Sequence, residues 1–163
     1  ASGSMSVWTQ QNAPSGYTVL LPQITYPGTI EGNPYQGKQG QAQEAMDVLR
    51  DPLPDILTGY SAGADSSVLY AEMRAKSGNP LNSLVLLAPA LFSGGISKEE
   101  YINKISNLGI NVLIVDETGQ FKKDFKDIKN VTVYDVSPLQ HGELDDSLTV
   151  MNLVYNWLNT QFK

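Results

Sequence analysis

The chain has 163 residues and a mass of 17.8 kDa, the size of one domain, and its 41% hydrophobic residues suffice for a core without covalent staples. Cysteine is absent and histidine occurs once, which excludes disulfide frameworks, thiolate metal sites, cysteine nucleophiles and multi-histidine metal centres. The net charge of −6 and pI near 4.6 argue against nucleic acid or an anionic membrane as partner, and no run approaches the ~20 apolar residues of a transmembrane helix.

Ala1 to Ser4 read as a cloning scar ahead of a start methionine, Met5, with neither the basic nor the apolar region of a signal peptide. Residues 5–163 read as a single domain. Five short apolar runs are predicted as strands: Thr18 to Leu21, Asp55 to Thr58, Leu84 to Leu87, Val112 to Val115 and Val131 to Tyr134. The middle runs show no polar alternation, as expected of strands buried on both faces.

Segments of helical period lie between and after them. Ala42, Ala45, Met46 and Leu49 form one stripe, and Ala64, Val68, Ala71 and Ala75 a second. Ser97 to Glu100 spells a capping box, followed by Tyr101, Ile105 and Leu108 and a terminating Gly109. Phe121, Phe125 and Ile128 mark a short helix. Leu148, Met151, Val154, Leu158 and Phe162 stripe the last one, and the acidic residues Glu143, Asp145 and Asp146 begin or cap it. This alternation predicts an open, mainly parallel α/β sheet of about five strands with helices on both faces. Ser93 to Gly95 and the stretch from Pro27 to Gly40 read as surface loops.

Open parallel sheets bind ligands beyond the carboxyl ends of their strands. After the second run comes Gly59-Tyr60-Ser61-Ala62-Gly63, a G-x-S-x-G between strand and helix. Such a turn strains the serine backbone, and its glycines are expected to remove Cβ atoms that would collide with strand and helix. A Gly-rich β–α turn also occurs for packing alone, so the motif gains weight from its partners. Asp116 and Glu117 follow the fourth run, and the only histidine, His141, lies in the loop after the fifth. Serine, acid and histidine thus fall at one edge of the sheet.

Motif, strand order and residue order together make the chain, from about Tyr17 to Leu158, resemble the α/β-hydrolase superfamily. The resemblance implies a serine hydrolase of carboxylesterase-like type, acting on a small ester or thioester through an acyl-serine, with no metal or other cofactor. Ser61 then corresponds to the nucleophile, His141 to the general base and acid, and Asp116 to the residue orienting the imidazole, with Glu117 as the alternative acid. The Ala62 N–H is one oxyanion donor, and Gln23, or alternatively Ile24, is the candidate for the second. Tyr26, Tyr60, Leu91, Phe92 and Leu139 lie near the same edge as candidate substrate-binding residues.

Four features depart from the superfamily pattern. The N-terminal antiparallel strands are missing, and the loop from Pro89 to Ile96 is too short for a cap domain. No His-Gly oxyanion motif follows the first run. Family members often place the acid a few residues beyond the strand, nearer Gly119 here. The competing readings are a non-catalytic α/β-hydrolase-like or flavodoxin-like binding domain, and a catalytic fragment of a larger multidomain protein. Lack of a signal peptide makes a cytoplasmic location the default, with secretion left open because absent cysteines suit either compartment.

Overall fold

A computed structural model of the chain describes residues 5–22, 37–90 and 96–162. In chain order its elements are α1 (Gly37–Val48), β1 (Ile56–Tyr60), α2 (Ala62–Lys76), β2 (Ser83–Leu87), α3 (Lys98–Ser106), β3 (Asn111–Asp116), α4 (Phe121–Asp124) and β4 (Val131–Asp135). A 3₁₀ helix (His141–Asp146) and α5 (Leu148–Gln161) complete it.

The four strands form a parallel sheet in the order β1-β2-β3-β4. Strands that step one way across a sheet through right-handed crossovers leave their connecting helices on one face. Accordingly α1 to α4 share one core layer: Ala42, Val68, Tyr101 and Phe121 pack with Leu84, Leu86, Val112 and Ile114. The opposite face carries Val85, Leu87, Leu113 and Val115 against Met151, Val154 and Leu158 of α5 and the indole of Trp8. Neighbouring residues of β2 and β3 therefore enter different layers, which is why these strands read as continuous apolar runs.

The first predicted strand is corrected. Thr18 to Leu21 carries no strand, and Leu20 and Leu21 are exposed. The Val19 N–H is taken by the Gln10 side chain at 2.6 Å rather than by a neighbouring strand. Four apolar residues are too short a run for periodicity to separate a strand from irregular chain.

The helices follow local chemistry. Ser97 caps α3 by accepting from the Glu100 N–H at 3.1 Å, and Ser147 caps α5 by accepting from Val150 at 3.2 Å. The acidic cluster does not cap α5: Glu143 Oε2 accepts from the Gln140 N–H at 2.5 Å, closing a capping box on the 3₁₀ helix. Asp146 instead accepts from the backbone N–H and the hydroxyl of Ser6, both at 2.8 Å. At the ends of the α5 stripe, Leu148 and Phe162 are exposed, and on α2 so is Ala75. α2 is buried around much of its girth because it lies between the sheet and α1. There the fully buried Asp65 pairs with Lys38 Nζ at 2.7 Å, tying α1 to α2.

Candidate active site

The carboxyl ends of β1 and β3 and the loop after β4 converge on one constellation. Ser61 follows the last residue of β1 and adopts φ 55°, ψ −119°, a region that an L-residue occupies only under strain of about 1–3 kcal/mol. Its N–H donates to the Leu87 carbonyl at 2.9 Å, locking the elbow onto the end of β2. Ala88, at the end of β2, is also left-handed at φ 48° and buried, so two strained residues sit at neighbouring strand ends.

Gly59 is required by space. A Cβ there would penetrate Ser67 Oγ and the Gly63 carbonyl oxygen and come within 2.8 Å of Ala64 Cα. The second glycine of the motif differs from expectation. Among the described residues nothing lies within 4 Å of a Cβ built on Gly63. The helix enters so close over Gly59 that the clearance is needed on the strand side only.

Ser61 Oγ lies 2.9 Å from His141 Nε2, and His141 Nδ1 lies 3.3 Å from Glu117 Oε1. With Nδ1–H donating to Glu117, Nε2 carries a lone pair facing the serine hydroxyl. Asp116 is engaged elsewhere. It is fully buried, its Oδ1 accepts from the Thr118 N–H at 2.8 Å and the Thr118 hydroxyl at 2.6 Å, and its Oδ2 accepts from the Phe121 N–H at 3.0 Å. It shapes the loop into α4, and it is the next residue, Glu117, that faces the imidazole. The His141 side chain is 49% exposed and that of Glu117 is 14% exposed, so the pair opens to solvent.

Ala62 is the first residue of α2, where helix N–H groups lack intrahelical acceptors and the dipole favours negative charge. Leu139 is half-buried and packs against the α5-side core. Tyr60 packs partly against that core, and its O–H donates to the His141 carbonyl at 2.6 Å. Burial, then the negative charges of Asp145, Glu117 and Asp146, push the Tyr60 phenol above its ordinary range. Gln23, Ile24, Tyr26, Leu91 and Phe92 lie outside the described residues. Among the described residues no group of three or more His, Cys, Asp or Glu side chains is placed to hold a metal ion, and no helix is long and apolar enough to cross a membrane.

Sequence reasoning missed the contact between Tyr60 and the histidine loop. It joins residues 81 positions apart, and no local pattern carries it.

No family model and no curated protein matches the chain. Solved structures do. The NocB thioesterase domain in covalent complex with a fluorophosphonate nocardicin G analogue superposes with a TM-score of 0.52 at 12% identity, over 80% of this chain and 77% of that one. The NocB thioesterase domain from the nocardicin cluster gives a TM-score of 0.51 at 14% identity, over 80% and 76%. The fold is that of the α/β-hydrolases. At this identity the likeness concerns the course of the backbone; the chemistry is read from the side chains.

Proposed function

We propose that the chain is a serine hydrolase that cleaves small esters or thioesters through an acyl-Ser61 intermediate. The observation that carries this reading is the 2.9 Å approach of His141 Nε2 to a serine held at positive φ on a strand-to-helix turn. Ser61 Oγ attacks the acyl carbon as its proton passes to Nε2, and the carbonyl oxygen gains negative charge beside the Ala62 N–H at the start of α2. The imidazolium formed is balanced by Glu117 and returns its proton to the departing alcohol or thiol. Water, deprotonated by the same nitrogen, then attacks the acyl-serine and releases the acid.

Glu117 takes the orienting role in this scheme, because both oxygens of Asp116 are held by its own loop. A separation of 3.3 Å is longer than the ~2.7–2.9 Å of a strong charge-assisted contact, so the acid's contribution is at the low end for such sites. The thioesterase domains with which the chain shares its fold make a short acyl thioester the first substrate to try. The test is hydrolysis of a matched short-chain thioester and oxygen ester by wild type and Ser61→Ala. Turnover lost in the variant supports the proposal; no turnover of either compound by the folded wild type, or turnover that survives the substitution, refutes it.

A further inference from the structure

We propose that Tyr60 is a positioning residue for the serine–histidine pair, gripping the histidine loop from the strand that carries the serine; this rests on reading Ser61 as the nucleophile. Tyr60 ends β1 and is peptide-bonded to Ser61. Its side chain makes two contacts with one residue of another loop. The phenol O–H donates to the His141 carbonyl at 2.6 Å, and its ring lies 5.5 Å from the imidazole, centroid to centroid, inclined at 31°.

That end of the loop is otherwise held by its own capping box between Gln140 and Glu143 and by the partial packing of Leu139 against the α5-side core. The imidazole is half-exposed, its carboxylate contact is long, and Gly142 follows it. The far end of the 3₁₀ helix is anchored separately: Trp8 Nε1–H donates to the Asp145 carbonyl at 3.1 Å, and Ser6 binds the Asp146 carboxylate. Tyr60 therefore completes the clamp at the end that bears the base. Because it is rigidly joined to the elbow, a shift of the strand end moves serine and histidine together. Misplacement of a reacting group by about 1 Å can slow a reaction roughly a hundredfold, so such coupling has kinetic weight. Burial and the surrounding carboxylates favour the protonated phenol, which keeps it a donor at neutral and mildly alkaline pH.

The test compares wild type, Tyr60→Phe and Tyr60→Leu in two measurements. One is the second-order rate of labelling by a fluorophosphonate probe across pH. The other is the NMR spectrum of the imidazole, unambiguous because the chain has one histidine. Tyr60→Phe keeps the ring and removes the donor. It should label to wild-type stoichiometry but roughly five- to tenfold slower at every pH, with broadened or shifted imidazole signals. Tyr60→Leu, lacking the ring as well, should be slower still; if it does not fold, Tyr60→Phe decides alone. Wild-type labelling by Tyr60→Phe overturns the proposal, as does slowing merely in proportion to lost folded protein with the imidazole spectrum unchanged. If wild type itself is not labelled, the nucleophile reading fails separately. In that case unchanged imidazole signals in Tyr60→Phe overturn the positioning role, and altered ones support it.

Discussion

Asp116 and Glu117 are adjacent carboxylates with opposite predicted phenotypes. In Asp116→Asn one oxygen becomes an NH₂ group. Placed toward Thr118 it would face both the Thr118 N–H and its hydroxyl, so the better placement faces the Phe121 N–H alone. Donor then meets donor at a buried position, which leaves one backbone N–H without an acceptor and costs about 1–3 kcal/mol. For a domain of this size each kcal/mol lowers Tm by about 2–4 °C, so a fall of roughly 2–12 °C is expected. Below its melting range the variant should keep at least a third of wild-type activity, because Asp116 does not bond the imidazole. Glu117→Gln should do the reverse. It breaks no backbone contact, so Tm should stay within about 2 °C. Loss of the charge behind the imidazole should lower kcat/KM for a short acyl ester by roughly ten- to a thousandfold, less than in fully enclosed triads because the ring is half-exposed. Thermal melts and steady-state kinetics on both variants read this directly. Activity lost in Asp116→Asn and retained in Glu117→Gln, with both folded, would refute the assignment.

Gly59→Ala should destabilise by about 1–3 kcal/mol or prevent folding, since its Cβ enters Ser67, Gly63 and Ala64, whereas Gly63→Ala should match or exceed wild-type stability by up to about 1 kcal/mol; equal melting temperatures for the two variants would contradict the packing described. Among the described residues, Tyr17, Tyr60, Tyr101 and Tyr155 carry phenols raised by burial, Tyr101 well above the ordinary 10.0 and further by Asp65. A spectrophotometric titration should therefore show a smaller ionised fraction near pH 10 in the folded chain than in denaturant, where phenols at their ordinary 10.0 are about half ionised. Above that pH the folded state holds more protons than the unfolded one, so stability falls as pH rises further; a folded titration that coincides with the denatured one would refute the burial argument.

The parts of the fold that could be read in the sequence are those where one residue type leaves little choice. Leu84 to Leu87 and Val112 to Val115 are apolar on both sides because both faces of the sheet are covered. Gly59 is dictated by the approach of α2, and a lone histidine after the last strand leaves one candidate base. Thr18 to Leu21 has the same composition as a strand, and only the Gln10 side chain, which takes the Val19 N–H, tells otherwise. The choice between Asp116 and Glu117 depends on which carboxylate the α4 loop captures. That loop's Thr118 and Phe121 N–H groups select the residue ending the strand and leave its neighbour to the imidazole. The partly buried Lys38–Asp65 pair and the bond from Tyr60 to His141 arise from packing between distant segments, where spacing carries no signal.

The central claim is that Ser61 is an activated nucleophile served by His141. Its most direct test is to treat the folded protein with a fluorophosphonate and map the adduct by mass spectrometry, beside Ser61→Ala and His141→Ala. One adduct per chain on Ser61, absent from the first variant and strongly slowed in the second, is the result expected. No adduct on the folded wild type, or an adduct on another residue that survives Ser61→Ala, would contradict it.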